Sequence, residues 1–391
     1  MAALKRLELF LTFLRLGLTS FGGPVAHLSY FYDEFVKRKK WLSDQTYADL
    51  VVHCQFLPGP ASSQVGLAIG LYRGGLVGAL VAWLAFTLPS AIFLVLMGLF
   101  FKDSVQQGHP LSWLHGLKLV AVSVVAQAVW GMAKKFCPDR SRILIAFVSS
   151  LSILSFKGVF VPIFVVTVAG IVGSVFFETK TQSFHEFQKS GLSKTFGAFA
   201  LVIFAALLFL LPLWRELNPS SSIALIDSFY RAGSLVFGGG HVVLPLLQEE
   251  VIPTGWISKE LFTMGYGLAQ ALPGPLFTFA AYLGAVSSQE PHGWLGAAVC
   301  LLAVYLPSFL LVFGGLPFWE HLRSVKKVQS AMLGIHAAVV GLLLAALYDP
   351  VWVSAVSGAK DVIYVLVGFI MLEIWCLPSW LVVALVVLIS V

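Results

Sequence analysis

Charge is what this chain has least of. Of its 391 residues, 25 are Lys or Arg and 19 are Asp or Glu, 11% in all, against 58% hydrophobic residues. The mean hydropathy is +0.89. A soluble domain covers itself with far more charge than this. The longest polar connection, residues 178–194, is too short to fold alone and reads as a loop. Catalytic signatures are scarce as well: there is no GxxxxGKS or GxxxxGKT phosphate loop and no HExxH zinc motif, so the chain does not read as an enzyme. The four cysteines (Cys54, Cys137, Cys300, Cys376) stand singly, without the spacing of a metal or redox site. They read as small apolar fillers, and no metal or cofactor is expected. The net charge of +6 does not point to nucleic acid, because the cations sit in short loops between apolar runs, where membrane orientation explains them.

Apolar runs are what the chain has instead. They cover residues 76–100, 111–133, 143–155, 159–177, 196–213, 295–318, 331–347, 362–374 and 377–391. A bilayer crossing takes about 20 residues, so 143–155 and 362–374 are short for the task. The pattern is that of an all-α polytopic membrane protein embedded in a lipid bilayer. Lys5 and Arg6 before an apolar run imitate a signal peptide, but Glu8 and Arg15 interrupt it and no small-x-small cleavage site follows. That segment reads as part of the mature protein.

Two stretches half a chain apart repeat one another. The first contains Arg15, Gly17, Phe21-Gly22-Gly23, Trp41 and Gln55, and ends in Leu57-Pro58-Gly59-Pro60. The second contains Arg231, Gly233, Phe237-Gly238-Gly239, Trp256 and Gln270, and ends in Leu272-Pro273-Gly274-Pro275. Leu88-Pro89-Ser90 and Leu306-Pro307-Ser308 extend the echo. Cations mark opposite faces of the two repeats. Lys37-Arg38-Lys39-Lys40 precedes Trp41, whereas neutral Pro253-Thr254-Gly255 precedes Trp256; Lys134, Lys135, Arg140 and Arg142 are matched by uncharged or acidic positions at Tyr348-Asp349-Pro350. By the positive-inside rule the repeats are inverted. The expected organisation is an N-terminal transporter repeat over 1–177, a cytoplasmic loop and linking helix over 178–220, and a C-terminal inverted repeat over 221–391. Broken or re-entrant helices fall at the Gly/Pro motifs. Two threadings stay open: hairpins that turn back inside the membrane, or segments that cross it fully.

Broken backbone is tolerated at membrane depth only where it is buried in protein or lines a wet cavity. Matched breaks in two halves point to the substrate site of a secondary transporter. Pro24, Pro60 and Pro275 each suit the first turn of a half-helix, whose free amides make an anion site. Ser62, Ser63 and Thr278 lie in the first turn after a break and add hydroxyl donors. Arg15 and Arg231, each six residues before its Phe-Gly-Gly, are costly inside apolar segments and by default functional. The alternative for both is snorkelling to the interface. Gln55 and Gln270 are neutral donors just before the breaks, with helix capping as their plainer role. His27, His241, Glu34 and Glu250 are the candidates for proton coupling, again with interfacial roles as the plainer alternative. Gly70, Gly74 and Gly78 read as close-packing positions.

Phe-Gly-Gly, Trp41-Leu42-Ser43 and Leu57-Pro58-Gly59-Pro60, repeated in the second half, resemble the two-domain form of the chromate ion transporter family over nearly the whole chain. The resemblance implies a bacterial inner-membrane exporter of chromate, with sulfate as isostere and competitor. A homodimer is compatible with it. One departure is Gly240-His241 where the first half has Pro24-Val25, so the halves need not contribute equally. The rival class is an anion channel, or a carrier for another inorganic oxyanion such as sulfate.

Overall fold

The computed structural model describes residues 2–21, 23–106, 113–156, 161–178, 191–217, 221–236, 243–322 and 325–390, and every regular element among them is helical. The first half contains α1 (Ala2–Thr19), α2 (Gly23–Phe31), a π-helical continuation over Tyr32–Arg38, α3 (Asp44–Phe56), α4 (Ala61–Gln106), α5 (Trp113–Phe136), α6 (Arg140–Ser155) and α7 (Val161–Phe176). Then follow α8 (Lys194–Leu217), α9 (Ser221–Leu235), α10 (Val243–Val251), α11 (Lys259–Ala271), α12 (Phe279–Val286), α13 (Gly293–Gly315) and α14 (Trp319–Leu322). The chain closes with α15 (Lys326–Ala346), α16 (Val353–Ala355), α17 (Ala359–Glu373) and α18 (Ser379–Ser390).

Among the described residues five helical stretches are long and apolar enough to cross a membrane: Ala61–Asp103, His115–Phe136, Lys194–Leu217, Gly293–Phe318 and Lys326–Asp349. The protein is an all-α polytopic membrane protein. The remaining apolar runs form the shorter helices α6, α7, α17 and α18, of 16, 16, 15 and 12 residues. At about 1.5 Å per residue these reach roughly 18–24 Å, less than the hydrocarbon thickness of about 30 Å.

The repeated motifs have local structural causes. Ser43 and Ser258, the third residues of the matched Trp-x-Ser triplets, cap α3 and α11: each side chain accepts a hydrogen bond from the amide three residues on, at Thr46 and Leu261. Both helices then end two residues before a proline. Leu57 and Leu272 are extended, with ψ of 147° and 151°, because a following proline ring crowds the helical conformation. Helix resumes at Ala61 in one half and, through a 3₁₀ turn at Leu276–Thr278, at Phe279 in the other.

The chain divides into two compact units, residues 1–110 with 186–319 and residues 111–185 with 320–391, so each draws on both halves of the sequence. In the first unit the chain reverses after α1. Arg15 meets Glu34, and Glu8 meets Lys39 at 2.7 Å, so the partners run antiparallel. Within α4 the chain reverses again at Gly74-Gly75, bringing Gly70 so close to Gly78 that a Cβ on Gly70 would lie 2.5 Å from the Gly78 carbonyl oxygen. The matched reversal joins α12 to α13, where a Cβ on Gly284 would lie 2.2 Å from the Gly296 oxygen.

The second unit is laced by polar contacts between α5 and α17. His115 pairs with Asp361 at 2.7 Å, Ser123 donates to the Val365 carbonyl, Gln127 donates to the Leu372 carbonyl, and Lys134 pairs with Glu373 at 2.9 Å. The pairs advance together along both helices, so α5 and α17 run in the same direction. Along α7 and α15 the order is opposite: Gly170 faces Ile335, and Gly173 faces Ser330. Cys54, Cys137 and Cys300 are buried as fillers, but Cys376 is exposed, because α17 has ended and the chain turns outward before α18.

Candidate functional site

Both Pro-Gly-Pro breaks lie in the first unit, and each is completed by the other half of the sequence. The Gly59 amide donates to the Val236 carbonyl at 2.5 Å, and the Gly274 amide donates to the Ser20 carbonyl at 3.0 Å. Ser20 and Val236 occupy matched positions, one residue before each Phe-Gly-Gly. Each break therefore satisfies the free carbonyl end of the other half's first helix, so these groups are not orphaned at depth.

The exchange continues in the side chains. Gly59 and Gly274 adopt φ of +123° and +99°, conformations that L side chains rarely take. Above them stand the serines of the opposite Leu-Pro-Ser motifs: a Cβ on Gly59 would lie 2.7 Å from Ser308 Oγ, and one on Gly274 would lie 2.8 Å from Ser90 Oγ. The first helices are held just as closely. A Cβ on Gly17 would lie 2.6 Å from the Phe86 oxygen, and one on Gly233 would lie 2.1 Å from the matched Val304 oxygen.

Around this crossing is a cluster of uncharged donors and acceptors. Gln64 Nε2 donates to the Pro58 carbonyl at 2.6 Å and to Ser308 Oγ at 3.4 Å. Ser63 Oγ lies 3.4 Å from the Tyr305 hydroxyl, which also lies beside Thr87. The Trp83 ring meets the Tyr305 ring edge-on at 5.4 Å. Ser62 contacts His27 Nδ1 at 3.3 Å, and the other ring nitrogen, Nε2, reaches the Ser20 carbonyl at 3.1 Å. A carbonyl can only accept, so Nε2 carries the proton and Nδ1 accepts from Ser62. Thr278 Oγ1 turns back onto the Pro275 carbonyl at 2.8 Å. Gln270 is buried beside Tyr266, and Gln55 is partly buried at the end of α3. Gly23 and Pro24 open α2. Gly22, Gly238, Gly239 and His241 lie outside the described residues.

The arginines sit elsewhere in the same unit. Arg15 is bound to Glu34, which also receives Arg38 at 3.2 Å. Arg231 is bound to Asp227 at 2.9 Å and to the matched glutamate, Glu250, at 3.0 Å. Arg215 reaches the same two carboxylates at 3.2 and 3.4 Å, and the Ser228 hydroxyl donates to Glu250 at 2.7 Å. Both arginines thus tie the first helix of a half to a later leg of that half through a matched glutamate. The structure brings together Ser62, Ser63, Gly59, Gly274 and His27, and it holds Arg15, Arg231, Glu34 and Glu250 in separate ion-paired clusters. Sequence reasoning missed Asp227, Arg215, Trp83, Thr87, Tyr305 and Ser308. For Thr87 and Tyr305 a signal existed: each immediately precedes a Leu-Pro-Ser motif, so a hydroxyl recurs at one matched position. Asp227 has no counterpart in the first half, where the matched residue is Leu11, but its place four residues before Arg231 is the spacing of a helical ion pair. Among the described residues no group of three His, Cys, Asp or Glu side chains could hold a metal ion.

The family described as chromate transporter matches residues 7–174 and 223–391. A chromate transport protein of Pseudomonas aeruginosa is 27% identical over 358 residues, 89% of this chain and 82% of that one. A chromate transport protein of Cupriavidus metallidurans is 25% identical over 87% of this chain and 81% of that one. An uncharacterized transporter of Methanocaldococcus jannaschii is 26% identical over 87% of this chain and 83% of that one. No solved structure matches.

Proposed function

The chain belongs to the chromate transporter family, and from that premise we propose that it is a secondary transporter exporting chromate, and sulfate-like oxyanions, across a bacterial inner membrane. The observation that carries this reading is the reciprocal crossing of the two breaks, Gly59 to Val236 and Gly274 to Ser20, amid uncharged side chains. Two half-helix starts converge there, and a helix start favours negative charge. The inverted arrangement of the repeats is supported by helix direction. Helix α17 runs with α5 and α15 runs against α7, which is the relation expected when the matched helices α5 and α15 point opposite ways.

Export of a dianion needs no nucleotide. Moving two charges out of an interior at about −100 mV releases roughly 4.6 kcal/mol before any concentration gradient. Proton antiport through His27, Glu34 or Glu250 adds to that drive without being required by it. The test is uptake of chromate and sulfate into inverted vesicles, with the membrane potential and the pH gradient collapsed separately. Uptake that falls when the potential is abolished supports the reading. Uptake indifferent to both gradients and to chromate concentration refutes carrier export, and single-channel currents in proteoliposomes would identify an anion channel instead.

A further inference from the structure

We propose that Ser63, Trp83, Thr87 and Tyr305 form an uncharged donor shell for one tetrahedral oxyanion dianion, chromate or sulfate, where the two breaks cross. The proposal rests on the transport reading above and adds the groups that select the ion.

Trp83 and Thr87 are one helical turn apart on the second leg of α4, so they share a face. That face looks onto α13 at Tyr305, whose ring meets Trp83 and whose hydroxyl lies beside Thr87 and 3.4 Å from Ser63. All four are buried: Trp83 is 6% exposed, Ser63 3%, Thr87 1% and Tyr305 0%. Yet Trp83 Nε1 has no hydrogen-bond partner, and Thr87 Oγ1 has only the neighbouring Tyr305 hydroxyl within reach. An indole N–H can only donate, and buried donors are almost always paired. An unpaired indole donor and a hydroxyl one turn further on, beside two more hydroxyls, are what a bound acceptor would complete.

The chemistry of that acceptor follows from what surrounds it. No formal charge lies among these four side chains, and Arg15 and Arg231 are engaged by carboxylates in separate clusters. Hydrogen bonds to an ionised acceptor are short and strong. Neutral donors can therefore hold a dianion without the ion pair that would retain it, as a transporter that must release its cargo requires. A tetrahedral ion presents oxygens in several directions and can meet donors arriving from two helices. A halide presents no such set. Thr87 and Tyr305 hold matched positions in the two halves, so the shell sits where the repeats meet.

The test uses the full chain reconstituted in proteoliposomes, with labelled chromate and sulfate as probes. Thr87→Val and Tyr305→Phe each remove one donor and keep the bulk, and Trp83→Phe removes the indole N–H along with part of the ring. Each is expected to raise the apparent KM for both ions about tenfold or more, with saturating turnover within about twofold of the parent, while Thr87→Ser retains the parental KM. Unchanged KM in all three deletions overturns the proposal, as does a Thr87→Ser protein as impaired as Thr87→Val. If the parent chain moves neither ion, the transport reading itself has failed, which is a different result. Calorimetric titration of sulfate into monodisperse Thr87→Val protein decides the matter without transport: weakened binding supports the shell, and parental affinity removes it.

Discussion

Replacing Arg231 with Gln should damage this protein far more than replacing Arg15 with Gln, although the two arginines are sequence equivalents. The Arg231 side chain is 5% exposed and serves two carboxylates, Asp227 (1% exposed) at 2.9 Å and Glu250 (15%) at 3.0 Å. Removing it leaves both acids sharing Arg215 alone, at 3.2 and 3.4 Å. Breaking a buried pair by deleting one partner costs about 3–5 kcal/mol, because a buried charge is left uncompensated. The Arg15 side chain is 45% exposed, and Glu34 keeps Arg38 at 3.2 Å after Arg15 is lost. Glu34, 6% exposed, therefore is not left uncompensated, and the loss should fall below the range for a broken buried pair. The assay is thermal unfolding of the detergent-solubilised proteins, followed by size-exclusion chromatography. Arg231→Gln should melt well below Arg15→Gln, and adding Glu250→Gln to Arg231→Gln should recover part of the loss. Equal melting of the two single variants, or no recovery in the double variant, would refute the reasoning. Chromate uptake by the folded Arg15→Gln protein then reports whether that guanidinium touches the ion: a parental KM assigns it to holding α1 in place.

Further expectations are open to similar measurements. Gly233→Ala places a methyl 2.1 Å from the Val304 oxygen and should cost about 1–3 kcal/mol by forcing α9 from α13, whereas Gly358→Ala meets nothing within 4 Å and should melt like the parent. Gly274→Ala, at φ +99° and 2.8 Å from Ser90 Oγ, should lower both melting temperature and uptake, and Ser90→Ala should relieve only the clash and not the backbone strain of about 1–3 kcal/mol. The Asp139 carboxylate caps α6, and the Arg142 amide holds it below its ordinary value of 3.8. A depressed pKa contributes stability above the unfolded value that is lost as pH falls through the folded one. Asp139→Ala should therefore cost about 0.5–1 kcal/mol at neutral pH, with the melting difference narrowing only in acid below that ordinary value. Cys376, exposed between α17 and α18, should react with an impermeant maleimide in inverted vesicles and not in intact cells, if the C-terminus faces outward.

Much of this was legible in the sequence because it depends on backbone chemistry that residue types announce. Proline after Leu57 and Leu272 ends two helices, serine at 43 and 258 begins them, and glycine at 59 and 274 permits the turn between legs. Those features act locally, so their spacing reads directly along the chain. The exchange between halves is not local. Nothing near Gly59 announces Val236 as its partner, and only the matched Gly274–Ser20 pair makes the rule visible once both are seen. The arginines left two roles open for a physical reason: a cation in an apolar run is expensive whether it awaits an anion or already has one. Its neutralising glutamates lie 19 residues further along each half, too far for a helical spacing to reveal. Trp83, Thr87 and Tyr305 were hidden inside apolar runs of spanning length, where sequence does not tell which face turns inward.

Because each Pro-Gly-Pro loop docks on an acceptor supplied by the opposite repeat, neither repeat is self-sufficient: each is a hand shaped to be clasped by the other. Severed into two polypeptides, the molecule should regain its native form only when both fragments are synthesised in the same cell. Any duplication that produced such a chain would have had to begin from copies already able to trade loops, with fusion making permanent a partnership that separate chains once had to find by diffusion.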